Sequence, residues 1–269
     1  MLKFFAKYIE SELGIVYAEH NYFQLENRLE EIAKLVGVPC IQSLYEQAKS
    51  GISGQFKQML LDVATNNETS FFRDPKVFKA IENTILKSVS SFLSPGEKLR
   101  IWSAASSTGQ EALSLTMMIK EFNLREKQNI GFSILASDIS ERVLARAKGG
   151  SYTQLEVQRG MPAPYLIKYF KKDDEDKWTA SSELLAHIDF KKINLKGDFG
   201  IREQFHFVLC RNILIYQNVE GKIDIINRIA KVLAPGGYLV LGAGESLLGL
   251  STDFEQCLVE GSILYRKKK

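Results

Sequence analysis

From residue 99 onward, short apolar runs alternate with amphipathic segments, and this alternation restricts the chain to few folds. Residues 99–102 precede a helical pattern at 111–122, and residues 132–136 precede another at 141–148. The pattern resumes at 205–210. It continues with Val219, Ile223, Ile226, Ala230 and Leu233 on one helical face and returns to a strand at 238–241 after the turn Pro235-Gly236-Gly237. Strands joined through helices pair in parallel, because each crossover carries the chain back to the same edge, so an α/β, doubly wound, mostly parallel sheet is predicted. Residues 262–265 add a last strand, whose short connection favours antiparallel, hairpin-like pairing.

Residues 1 to about 90 read as helices. Tyr22, Leu25, Leu29, Ile32 and Val36 recur at three- and four-residue steps, as do Phe56, Met59, Leu60, Val63 and Ala64, giving each segment one apolar face. Gly37-Val38-Pro39 and the stretch from Gly51 to Gly54 separate them. Two units follow: an N-terminal helical domain with its lid or linker at 1–90, and an α/β domain at 91–269. The second is interrupted at about 151–192 by a stretch too long for an ordinary connection. It holds Gly160-Met161-Pro162-Ala163-Pro164, an apolar helical piece through Tyr169-Phe170, the charged turn 171–177 and Trp178.

Composition excludes several classes. With 45% hydrophobic residues in 269, the chain can bury a sizeable core. It reaches Glu10 and Glu12 before any apolar run suited to a signal peptide, and nothing approaches the roughly 18 apolar residues of a membrane helix. A cytoplasmic protein without membrane insertion is expected. Cys40, Cys210 and Cys257 are far apart and lack a Cys-x-x-Cys or histidine companion, so they are read as reduced, with no metal site. The net charge is +3. Residues 1–75 carry seven Lys/Arg against ten Asp/Glu and the rest 28 against 22, which gives no basic stripe for nucleic acid. Arg266 with Lys267-Lys268-Lys269 reads as a solvated tail.

The residues that can carry chemistry fall at the edges of these elements. Asn67-Glu68-Thr69-Ser70-Phe71-Phe72-Arg73-Asp74 joins a polar tip, two aromatics and an arginine just ahead of the α/β pattern, and reads as a lid over a ligand. Arg73 stands out, because a planar guanidinium suits carboxylates. The turn Ser103-Ala104-Ala105-Ser106-Ser107-Thr108-Gly109 is small throughout, so a ligand can approach its backbone at a helix N-terminus. A pyrophosphate needs several backbone N–H groups exposed by glycines; the single Gly109 suits instead a donor whose tail is an amino acid, or a turn that only packs. Glu111 opens the next helix, where the dipole favours a carboxylate. Asp138 follows the second strand, in position either to accept from ribose hydroxyls or, like Ser140, to cap the helix at 141. Asn194-Leu195 and Arg211-Asn212 end two further runs at the same edge. Tyr216 follows four residues after Asn212, where its ring could also simply pack with its hydroxyl at the surface.

Five blocks in this order resemble the chemotaxis receptor methyltransferase (CheR) family, which methylates glutamates of bacterial chemoreceptors with S-adenosylmethionine. They are Asn67 to Asp74, Trp102 to Glu111, Ala136-Ser137-Asp138-Ile139, Asn194-Leu195, and Cys210-Arg211-Asn212-Ile213-Leu214-Ile215-Tyr216. The resemblance implies a Rossmann-like methyltransferase sheet with a small antiparallel β-subdomain in the insertion. It implies S-adenosylmethionine as donor, S-adenosylhomocysteine as product, and the cytoplasmic domain of chemoreceptors as partner. It further implies donor contacts from Asn67, Thr69, Arg73, Gly109, Glu111, Asp138, Asn194, Leu195, Arg211 and Asn212, and a catalytic or positioning role for Arg73 and Tyr216. A monomer is expected.

The sequence departs from that family in places. His206 stands where relatives commonly carry an acidic residue, and Gln110-Glu111-Ala112 replaces a more usual Glu-Glu-Pro. Around residues 22–35, Arg28 and Lys34 face Glu26, Glu30 and Glu31, where relatives often present a basic surface to acidic receptor helices. The turn at 171–177 lacks the glycine-rich loop that resembles a site for receptor C-terminal tethering peptides, so binding independent of such a tether is expected. Neither a Ser-His-Asp nor a Cys-His arrangement is required, since a glutamate with a pKa of about 4.3 is already anionic at neutral pH. The alternatives are a donor-binding signalling module without turnover and a methyltransferase of this family acting on another protein; a nicotinamide oxidoreductase is disfavoured by the missing glycines.

Overall fold

The computed structural model describes residues 1–88, 93–94 and 96–268. Its strands are β1 (Leu99–Ala104), β2 (Phe132–Asp138), β3 (Ser151–Tyr152), β4 (Phe170–Lys172), β5 (Trp178–Ala180), β6 (Ile188–Lys192), β7 (Phe205–Cys210), β8 (Leu233–Leu241), β9 (Phe254–Val259) and β10 (Ser262–Lys267). The helices are α1 (Leu2–Leu13), α2 (Tyr22–Val36), α3 (Ile41–Lys49), α4 (Gly54–Ala64), α5 (Pro75–Ile81), α6 (Gln110–Arg125), α7 (Glu141–Gly149), α8 (Gln154–Gln158), α9 (Ala163–Tyr169), α10 (Ser182–Leu185) and α11 (Val219–Val232).

Burial along β1 explains its place. Every position but Arg100 is buried, with Leu99 and Ile101 packing into one core and Trp102 and Ala104 into the other, the period of a strand covered on both faces. It lies between β2 and β7, inside a seven-stranded sheet of order β6-β2-β1-β7-β8-β10-β9. The strands from β6 to β8 are parallel, and β10 runs antiparallel between β8 and β9. The chain moves outward from β1 to β2 and β6, then crosses back to β7. The strand order therefore reverses beside β1 and opens a crevice at the C-terminal strand ends, where doubly wound sheets bind ligands.

Helices α5 and α6 cover one face and α11 the other. A separate cluster of Phe5, Ile9, Leu25, Leu29, Ile32, Leu44 and Leu60 joins α1 to α4. Val77, Phe78, Ile81 and Ile85 pack instead with the sheet core, although they lie within the span read as N-terminal helices. The boundary expected at residues 90 and 91 lies outside the described residues. In the insertion, β3, β5 and β4 form the expected antiparallel subdomain, while β6, also within 151–192, pairs with β2 in the main sheet.

The last strand is antiparallel, as expected, but its hairpin partner is β9, a strand that sequence did not mark. The basic cluster is not simply a solvated tail. Lys267 lies in β10, and its Nζ donates to Ala230 O at 2.5 Å and Leu233 O at 2.8 Å, where the carbonyls at the end of α11 favour a cation. Lys269 lies outside the described residues. Among the described residues no helix is long and apolar enough to cross a membrane.

Candidate active site

One cavity at the C-terminal ends of β1, β2 and β7 is lined by every expected site residue except Gly109, and holds about 1010 Å3 of space, counting its open mouth. The loop after β1 turns through two left-handed residues, Ala105 (φ 62°) and Ser107 (φ 51°), which carries its backbone across to β2. There Ser106 N donates to Ser137 O at 2.7 Å, and Ser107 N to Asp138 Oδ2 at 2.9 Å. Asp138 Oδ1 accepts from Ser140 N at 3.0 Å. The cap of α7 is Ser140, whose Oγ accepts from Val143 N, so Asp138 is left to hold the loop and face the cavity. It is 6% exposed, and burial raises its pKa against the opposing pull of N–H groups from Ser140, Ser107 and Ile139.

Gly109 has a packing reason to be glycine. At φ 90°, a Cβ there would stand 3.0 Å from Ala147 Cβ and 3.3 Å from the Tyr152 hydroxyl, so it lets α6 begin against α7 and the subdomain. Glu111 is held on both oxygens, by Ser103 Oγ at 2.7 Å and Arg211 Nη1 at 2.9 Å. Arg211 also donates to Arg73 O at 2.9 Å and Asp74 Oδ2 at 2.5 Å, so it braces the lid against the sheet.

The lid is half core and half site. Phe71 is fully buried against Tyr152 and Phe170, and Phe72 packs on Phe78 and Tyr165, with its N–H on Ser114 Oγ at 2.9 Å. Between these anchors and α4, Asn67 O accepts from Ser107 Oγ at 2.8 Å, and Arg73 Nη1 donates to Glu68 O at 3.0 Å. Tyr216 sits across the cavity in the 3-10 turn Leu214–Tyr216, its hydroxyl accepting from Asn66 Nδ2 at 2.9 Å.

Asn194 lines the cavity, yet its amide is engaged. Nδ2 donates to Glu12 O at 2.8 Å, and Oδ1 accepts from Lys196 N at 3.0 Å, tying α1 to the sheet edge beside Leu195. Sequence reasoning missed this N-terminal wall: Leu13 and Ile15 line the cavity, Ile15 bridges to Gln217, and Val16 N donates to Tyr216 O at 2.9 Å. It also missed Glu245. That carboxylate accepts from the N–H groups of Asn212 (2.7 Å), Ile213 (2.9 Å), Ile215 (3.3 Å) and Gly242 (2.8 Å), and so shapes the loop after β7. No spacing rule links it to a loop 33 residues earlier.

Two of the departures noted in sequence, His206 and Arg28, lie outside the cavity lining. His206 is buried at the start of β7, accepting from Arg100 N at 2.9 Å, and burial lowers its pKa. Arg28 turns inward to Tyr17 Oη, Val63 O and Ala64 O, ordering the end of α4 ahead of the lid. Cys210 is wholly buried, which pushes its thiol up and leaves it inert.

The cradle fits an amino-acid nucleoside. It offers small residues at 105–107, a carboxylate at the end of β2, apolar walls from Ile139, Ile193 and Leu195, and the Ser106 hydroxyl, which is buried with no partner among the described residues. This sheet and its switch-point cavity define a Rossmann-like α/β ligand-binding fold. Residues 67–262 match the family model "CheR methyltransferase, SAM binding domain". The chain is 34% identical to chemotaxis protein methyltransferase 1 of Pseudomonas aeruginosa over 98% of this chain and 96% of that one. It is 33% identical to chemotaxis protein methyltransferase Cher2 of Pseudomonas putida, with the same coverage of 98% and 96%. Among solved structures, N-methyltransferase NodS of Bradyrhizobium japonicum with S-adenosyl-L-homocysteine aligns over 84% of this chain and 98% of its own, at 14% identity and a TM-score of 0.41. The chain belongs to the CheR methyltransferase family and is an S-adenosylmethionine-dependent methyltransferase.

Proposed function

We propose that this protein methylates glutamate side chains in the cytoplasmic domains of chemoreceptors, giving glutamate methyl esters and S-adenosylhomocysteine. One observation carries the reading: two arginines line the cavity, and they are in opposite states. Arg211 is paired with Glu111 and Asp74, whereas Arg73 makes no ion pair among the described residues and donates to a single backbone carbonyl. A planar guanidinium with donors in hand, opposite the Tyr216 hydroxyl, suits an incoming carboxylate.

Bound S-adenosylmethionine supplies an electrophilic methyl group on a sulfonium. The acceptor carboxylate is ionised at neutral pH, so the site needs no general base. What the chain contributes is alignment and dryness: Arg73 orients the acceptor, the lid anchored by Phe71 and Phe72 excludes water, and positioning of this kind contributes on the order of 7 to 11 kcal/mol. Asp138 takes the ribose hydroxyls, and Leu195 and Ile139 flank the base. Arg28 is committed inside the helical unit, so docking draws less on α2 than a basic face there would allow. The β4–β5 turn is closed on itself by Asp173, which accepts from Glu175 N at 3.0 Å and Lys177 N at 2.9 Å. A turn closed in this way favours docking without a C-terminal tether peptide.

The test is transfer of label from methyl-labelled donor to a panel of receptor cytoplasmic fragments, followed by alkali, which releases carboxyl methyl esters as methanol. Arg73→Ala is expected to slow single-turnover transfer more than it weakens S-adenosylhomocysteine binding, with Arg73→Lys recovering part. Alkali-stable label, or no transfer to any fragment, would defeat the glutamate reading.

A further inference from the structure

We infer that Asn66, outside the blocks that marked the site, is the positioning residue that sets the direction of the Tyr216 hydroxyl; this rests on the methyl-transfer reading above. The amide orientation follows from its two contacts. Glu68 N donates to Asn66 Oδ1 at 3.4 Å, so the amide oxygen faces the lid backbone and Nδ2 faces Tyr216 Oη at 2.9 Å. A phenol oxygen that accepts from an amide N–H must aim its own hydrogen elsewhere. Tyr216 donates to no described residue, and both side chains line the donor cavity. The contact is exposed at the cavity mouth, so the hydroxyl hydrogen is free to turn into the cavity, toward the place where Arg73 brings the acceptor carboxylate.

The polarity of this contact matters more than its presence. An aspartate at 66 would accept the tyrosine hydrogen and turn it away from the acceptor, while keeping the Glu68 N–H bond. A residue that only tied the lid to the 3-10 turn, 150 residues away, would show itself in stability and donor affinity instead.

Two measurements decide this. In single-turnover transfer to a receptor fragment at saturating donor and acceptor, Asn66→Ala is expected to slow the step ~3- to 10-fold, about the worth of one hydrogen bond, and Asn66→Asp more. In a Tyr216→Phe background, Asn66→Ala should add nothing further. Melting temperature and calorimetric S-adenosylhomocysteine affinity should change less than the transfer rate does. Equal slowing by Asn66→Ala in both backgrounds, or a loss confined to stability and donor affinity, would overturn the inference. The second measurement needs no acceptor: in 15N–1H spectra, the side-chain amide signals identified by their loss in Asn66→Asp should shift on Tyr216→Phe. Unmoved signals would overturn the inference as well. If the parent protein methylates no fragment, the substrate reading fails by itself, and the amide signals still decide whether Asn66 holds Tyr216.

Discussion

Arg211 and Glu111 meet at 2.9 Å on the cavity wall, and the same guanidinium reaches the lid through Arg73 O and Asp74. With the arginine side chain 3% exposed, losing it strands a mostly buried carboxylate, which costs roughly 3 to 5 kcal/mol. Arg211→Met is expected to lower unfolding free energy by about that amount and to weaken S-adenosylhomocysteine binding in the same step. Denaturant and calorimetric titrations check it. Parent donor affinity in the variant would mean the lid stands without this brace.

Asp138 gives a prediction with a pH signature. Burial raises its pKa, so folding favours the protonated form; its contribution is full below the unfolded-state value near 3.9 and is lost as pH rises through the folded-state value. Relative to Asp138→Asn, the parent should lose stability across that window and run parallel above it, in denaturation curves taken from pH 3 upward, roughly. Asp138→Ala should also weaken S-adenosylhomocysteine binding by roughly 1 to 3 kcal/mol, through unpaired ribose hydroxyls and a released Ser107 N–H.

Glu245 gathers four backbone N–H groups that would otherwise compete for water. Glutamine keeps the shape but turns an NH2 toward half of them. Glu245→Gln is expected to lower stability by about 2 kcal/mol or more and to disorder Asn212, read as lost donor affinity. An unchanged melting temperature would show that the loop holds its shape unaided.

Gly160 joins the insertion to the lid. At φ 91°, a Cβ there would lie 2.0 Å from Phe71 O, backbone that cannot swing aside. Gly160→Ala should cost about 1 to 3 kcal/mol and reduce donor affinity, although residue 160 does not line the cavity. Calorimetry reporting parent affinity would separate lid and subdomain.

What sequence could reveal depended on how local the signal was. The alternation from residue 99 gave the parallel sheet because each strand buries its own apolar run; the site residues at strand ends were singled out by the family resemblance more than by that pattern. Strand β9 was missed because it is an edge: Phe254 is buried, but Glu255, Gln256 and Leu258 face solvent, Leu258 at 72% exposure, which blurs the pattern. Gly109 stayed open in sequence because a glycine at a helix start serves ligand or packing alike; the close approach of Ala147 and Tyr152 gives the packing reason a glycine stands there. The choice between Asp138 and Ser140 as cap was likewise open until Ser140 took Val143 N. Arg28 looked like surface charge because the carbonyls it reaches lie 35 and 36 residues away.

The contacts that close the N-terminal wall span the whole chain: Asn194 to Glu12 across 182 residues, and Gln217 to Leu13 across 204. Bringing such distant segments together carries a loop-closure entropy that local helices do not face, and it is repaid only once the late strands exist. During synthesis, α1 to α4 emerge with their own core, yet the wall they provide has nothing to close against until residues 194 to 217 have left the ribosome. Donor binding thus depends on segments from both ends of this sequence, and a C-terminal truncation ahead of β7 is expected to be blind to S-adenosylmethionine.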